Sequence, residues 1–205
     1  TVARLEGGVH ARIGRREAED GERWNAALKF GAPVAREPVR DGLWLYGDIA
    51  RFDLDAWREA LAPPPGVKAP TIPAALELRG LDMRFGRLRY TGRDFLAMSA
   101  RLQREGAEWR GTLASPAIAG DVIFDPAGRG RIVARLERFL LAAGTTGAAG
   151  PEPAVAASEE DLPALDITAK RFEFRGRWLG SLDLVARPDG GEWRIDKLDI
   201  ANDHA

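Results

Sequence analysis

The stretch PALDITAKRFEFRGRWLGSLDLVARPDGGEWRIDKLDI, residues 163–200, alternates apolar and polar side chains along most of its length. Leu165 and Ile167, Phe172 and Phe174, Leu182 and Leu184, and then Ile195, Leu198 and Ile200 are separated by Asp, Arg, Glu and Ser. In a strand, residues two apart share a face, so the apolar set lies on one side and the charges on the other. A sheet with one wet face is the antiparallel pattern, because parallel sheets covered on both sides read as continuous apolar runs. Working outward, the same alternation appears at Leu76 and Leu78, Leu88 and Tyr90, Met98 and Leu102, and Ile118, Val122 and Phe124. The expected fold is mainly β: an antiparallel sheet of repeated hairpin units.

The turns support this. Asp189-Gly190-Gly191, Glu105-Gly106-Ala107 and Asp20-Gly21-Glu22 each sit between alternating runs, where glycine supplies the positive φ of a tight hairpin. Each is followed by a tryptophan: Trp193, Trp109 and Trp24. A constant offset of 84 residues aligns Arg87, Gly92, Arg93, Gly106, Glu108, Trp109 and Arg110 with Arg171, Gly176, Arg177, Gly190, Glu192, Trp193 and Arg194, which marks an internal repeat. A second recurring element sets Ile49, Arg51 and Phe52 beside Leu136, Arg138 and Phe139. The first copy runs into a short helix over 54–61, acidic in its first turn and stopped by Pro63-Pro64-Pro65. For 131–141 the pattern is ambiguous, since Ile132, Leu136, Phe139 and Leu140 also fit one helical face; the match to the first copy favours a strand. The approximate units are 1–61, 75–141 and 162–205, joined by a proline-rich linker at 62–74 and a low-complexity, disordered linker at 142–161.

Composition narrows the function. The 205 residues carry 30 Lys+Arg against 31 Asp+Glu, a net charge of −1 without a basic run, so no nucleic-acid partner is expected. Cysteine is absent, which removes disulfides, Cys-ligated zinc and thiol catalysis. No stretch approaches the ~18 apolar residues of a membrane span, no signal peptide is evident, and the strand-like ending suggests a fragment of a longer protein. His10 and His204 are surface residues near the termini. Asp53-x-Asp55 lacks the spacing of a calcium loop and reads as helix capping. Gly128-x-Gly130 reads as a turn, Glu159-Glu160-Asp161 as solvation, and the tryptophans as hairpin packing, with Trp57 anchoring the helix. No catalytic residue, metal site or cofactor is expected.

Three motifs carry a resemblance: Gly47 to Trp57 (G-x-I-x-R-x-D-L-D-x-W), Pro163 to Ile167 (P-x-L-D-I) and Phe174 to Leu184 (F-R-G-R-W-L-G-x-L-D-L). Together with the 87–126 block they resemble the YhdP branch of AsmA-like proteins over nearly the whole chain. The resemblance implies a strongly curved β-groove and an internal segment of a periplasm-spanning protein, anchored in the inner membrane of a Gram-negative bacterium. It also implies transport of phospholipid to the outer membrane and support of that membrane's barrier. The implied partners are phospholipid acyl chains, neighbouring segments of the same chain and envelope proteins at either membrane. Burying a CH₂ is worth about 0.8 kcal/mol, so exposing a chain of about 16 carbons costs on the order of 12 kcal/mol, a barrier that an apolar groove removes. The groove candidates are Leu76, Leu78, Leu88, Tyr90, Met98, Leu102, Ile118, Val122, Phe124, Leu165, Ile167, Phe172, Phe174, Leu182, Leu184, Ile195, Leu198 and Ile200. Apolar alternation equally describes a non-catalytic module whose face closes against a second sheet as a dry core. A carbohydrate-active domain using paired acids and exposed tryptophan is a third, less favoured reading.

Overall fold

In the computed structural model the described residues are 2–5, 8–18, 21–31, 40–61, 77–90, 92–141, 163–189 and 192–202. Among these residues, twelve strands form one sheet whose spatial order is the order of the chain. They are β1 (Val2–Leu5), β2 (Val9–Ala18), β3 (Gly21–Phe30), β4 (Gly42–Asp53), β5 (Leu78–Tyr90), β6 (Arg93–Glu105), β7 (Glu108–Ala114), β8 (Ile118–Asp125), β9 (Arg131–Leu141), β10 (Ala164–Phe174), β11 (Arg177–Asp189) and β12 (Glu192–Ala201). The one helix among the described residues, α1 (Leu54–Leu61), follows β4 directly. The two outer strands, β1 and β12, do not pair with each other, so the sheet is open.

Pairing is mostly antiparallel, as the alternation predicts. Three neighbouring pairs, β3 with β4, β4 with β5 and β9 with β10, are parallel. A parallel pair cannot be closed by a two-residue hairpin and needs a longer crossover. Both segments read as linkers, 62–74 and 142–161, fall between parallel partners. Their own conformation lies outside the described residues, as do Leu76, Glu159 to Asp161, His204 and the turn residues at 19–20 and 190–191.

Residues 131–141 form strand β9. The reason for their helix-like spacing is a register shift. Along β9 the side chains on one face are Ile132, Ala134 and Leu136, then Phe139 and Leu141, as their partners Leu165, Ile167, Ala169, Phe172 and Phe174 on β10 show. A bulge at 137–138 inverts the alternation, so the apolar residues step by three once and mimic a helical period. The fault continues through the neighbouring strands: shifts occur between Ala169 and Phe172 on β10 and between Ala119 and Gly120 on β8. The recurring element is visible in the pairing itself, because Arg51 lies opposite Arg87 and Arg138 opposite Arg171.

Glycines inside strands belong to the same device. Gly111 (φ +156°), Gly120 (φ +148°) and Gly180 (φ +101°) have backbone carbonyls of Arg101, Arg135 and Ala201 where a Cβ would stand. Bulges combined with such glycines are what bend a sheet. The turn read at Gly128-x-Gly130 is present, with φ +61° and +84° and the Gly130 N–H donating to the Ala127 carbonyl at 3.0 Å.

The helix is built from local signals. The Asp53 carboxylate accepts from the Ala56 N–H at 2.9 Å, an N-cap bond. Asp55 instead accepts from the Gly92 N–H at 2.9 Å, tying α1 to the β5–β6 turn. Trp57 rests on Phe52 with ring centroids 5.6 Å apart and keeps 52 % of its surface exposed, so its anchoring is one-sided.

Candidate functional site

Residues directly opposite each other in a sheet point to the same side, so the pairing register assigns every described strand residue to a face. One face can be followed from strand to strand. Ile13 lies opposite Ala26, Leu28 opposite Leu45, and Leu45 opposite Leu81. Leu81 leads to Leu102, Leu102 to Gly111, Gly111 to Val122 and Val122 to Ala134. Ala134 leads to Ile167, Ile167 to Leu184 and Leu184 to Leu198. An apolar row therefore runs from β2 to β12 with glycine as its only non-apolar step.

The seventeen groove candidates within the described residues all map to this face. Met98, Ile167, Phe172 and Leu182 are buried. Leu78, Leu88, Leu102, Ile118, Val122, Leu165 and Leu184 are half-buried. Tyr90, Phe124, Phe174, Ile195, Leu198 and Ile200 are exposed. The densest packing surrounds Ala134, Leu136, Ile167, Ala169, Phe172 and Leu182, where Phe139 stacks on Phe172 at 5.8 Å between centroids. No large side chain among the described residues is fully buried, as expected of a single layer. None of the described residues forms a second sheet laid over this face.

Sequence reasoning missed several members. Leu81, Met83 and Phe85 on β5 and Ala134, Leu136 and Leu141 on β9 share the face. On β5 a register shift between Leu43 and Trp44 of β4 breaks the count from Leu78 and places Asp82 on the opposite side. The available signal was the apolar spacing of three, which marks a bulge when it occurs inside an alternating run.

The other face is charged and internally paired. Arg84 meets Asp48 at 2.8 Å, Arg101 meets Asp82 at 3.0 Å, Lys170 meets Glu137 at 2.8 Å and Arg187 meets Asp196 at 2.7 Å. Asp166 accepts from Arg135 at 2.7 Å and lies 3.5 Å from Arg131. The Arg135 hydrogen bond holds the Asp166 carboxyl below its ordinary value of 3.8 despite the opposing effect of burial, with Arg131 adding to the pull. On Lys197, the hydrogen bond from the ammonium to Asp183 raises the pKa. A cavity of about 1010 Å³ opens on this polar face, lined by Trp44, Tyr46 and the Arg84 and Arg101 ion pairs. Its charged lining consists of Lys29, Arg40, Arg84, Arg101 and Arg110 with Asp48, Asp82 and Glu105.

Trp24 and Trp109 lie half-buried on the apolar face, opposite Arg15 and Phe124, as hairpin packing requires. Trp193 pairs by backbone with Pro188. Among the described residues no group of three or more His, Cys, Asp or Glu could hold a metal ion, and no helix is long and apolar enough to cross a membrane. The chemistry this arrangement can perform is the shielding of hydrocarbon along one face.

A family model described as YhdP protein matches residues 3–205. No curated protein and no solved structure matches the chain.

Proposed function

The chain belongs to the YhdP family, a bridge-like lipid-transport family of the bacterial envelope, and we propose that this sheet is a segment of its phospholipid conduit between the inner and outer membranes. Acyl chains lie against the apolar face from β2 to β12, while headgroups stay in water. The observation that carries the reading is the apolar row across eleven strands, interrupted only by Gly111, with Leu198 56 % and Ile195 50 % exposed at its end. A stable monomer rarely leaves a contiguous apolar surface of this extent without a ligand or partner.

The chemistry suits transport better than catalysis. A conduit must hold lipid loosely, so it needs apolar side chains of modest specificity rather than convergent polar groups. The polar face supplies solubility through paired charges whose mutual attraction is worth little individually. Periplasmic placement and anchoring of the parent protein in the inner membrane complete the proposal.

A photo-crosslinker tests it. Placed at Leu102 in the full-length protein in cells, it is expected to yield phospholipid adducts. Placed at the adjacent Gln103, on the polar face, it should yield none. Absence of adducts at Leu102, beside positive controls elsewhere in the protein, would favour a face closed by another protein segment.

A further inference from the structure

We propose that the phosphate groups of bound lipids are held at the end of the sheet formed by the β10–β11 turn, with Arg175 and Arg177 as the anion-binding side chains. The inference rests on the conduit reading and adds which end of the strands the headgroups occupy.

The β10–β11 turn differs in charge from the β6–β7 and β11–β12 turns at the other end of the sheet. Where the β6–β7 and β11–β12 turns lie, the cations are neutralised: Arg104 pairs with Glu77, Arg110 lies 3.5 Å from Glu105, and Arg194 lies 2.8 Å from Asp189. At the opposite end, no carboxylate among the described residues forms an ion pair with Arg175 or Arg177. Arg175 instead places its guanidinium over the Phe174 ring, 5.2 Å from the centroid. Phe174 belongs to the apolar face, and Arg177 stands directly opposite it. Both cations therefore sit at the boundary where that face meets water.

Among the described residues, more exposed aromatics lie at the second end than at the first, where Phe124 is 39 % exposed. Trp24 and Trp109 at the first end are half-buried. At the second, Trp57, Tyr90, Phe174 and Trp178 are 52 %, 40 %, 42 % and 45 % exposed. The exposed Phe174 ring beside two guanidinium groups that have no carboxylate partner among the described residues matches the boundary between hydrocarbon and headgroups. Guanidinium is the side chain best suited to phosphate, through paired, charge-assisted hydrogen bonds.

The backbone points the same way. Residues 175 and 176 form a two-residue hairpin with φ +53° and +75°. Positive φ at both central positions favours Asn-Gly, and an arginine in the first is disfavoured. Residues kept in a disfavoured backbone conformation cluster at functional positions. Arg175→Asn therefore separates the two roles, because it removes the cation while supplying the residue that the turn prefers.

The test titrates full-length protein with dihexanoylphosphatidylglycerol, with uncharged dihexanoylglycerol and with inorganic phosphate. Loss of a charged hydrogen bond predicts about tenfold weaker phosphatidylglycerol binding by R175N, and weaker still by R175N with R177Q. Binding of dihexanoylglycerol should be unchanged, and the thermal midpoint of R175N unchanged or higher. Undiminished phosphatidylglycerol binding by the double variant, an equal loss for both lipids, or a lowered midpoint would overturn the assignment. Displacement of the lipid by millimolar inorganic phosphate would reassign the site to a soluble anion. Failure of the unaltered protein to bind either lipid would instead remove the conduit reading.

Discussion

Asp166 shows how single residues hold the polar face in register. Its carboxylate accepts from Arg135, whose guanidinium also donates to the Asp166 carbonyl oxygen at 3.0 Å, so one arginine bridges β9 and β10 at a parallel pair. The folded state lowers the Asp166 pKa below 3.8. A lowered carboxylate pKa adds stability that is fully present above the unfolded value and is lost as pH falls through the folded one. Asp166→Asn should therefore cost about 1 kcal/mol at neutral pH. It should also reduce the acid sensitivity of unfolding below about pH 4. Denaturant titrations at pH 7 and pH 3 check this, and an equal difference between the two proteins at both values would contradict it.

Strands and helix differ in how much the amino-acid sequence discloses. The helix over 54–61 was readable because its signals are local: a capping acid at Asp53 and a proline stop. Asp53→Ala should destabilise the protein by about 1 kcal/mol, the ordinary cost of losing an N-cap, with Asp53→Asn close to neutral; thermal unfolding distinguishes them. The strand faces were readable wherever two-residue periodicity runs unbroken, as from Leu182 to Leu184. They were obscured where a bulge inverts the alternation, since hydrogen-bond register is a property of two chains and not of one. Thus Leu81 and Met83 went unassigned, and Ile132, Leu136 and Phe139 fitted two structures at once. The parallel pairs were hidden for a related reason: with one face wet, β9 and β10 alternate like antiparallel strands, and only their partners reveal direction.

At the scale of the whole molecule, one open sheet separates two environments. Ion pairs cover one side, and apolar side chains cover the other from β2 to β12 without a second layer among the described residues. Paired charges and apolar side chains thus fall on opposite faces of the same strands, and the bulges keep that division intact. The repeat of the Arg51–Arg87 arrangement at Arg138–Arg171 shows how such a surface lengthens by addition of similar units. The most direct test follows from β12, whose apolar residues are Ile195, Leu198 and Ile200 because of the register shift between Val185 and Ala186 on β11. A photo-crosslinker moved one residue at a time from Arg194 to Ala201 in the full-length protein reads the face in contact with lipid. The account predicts phospholipid adducts at 195, 198 and 200, a step of three followed by a step of two, and none at Asp196, Lys197 or Asp199. Uniform labelling, or adducts centred on the charged positions, would contradict it.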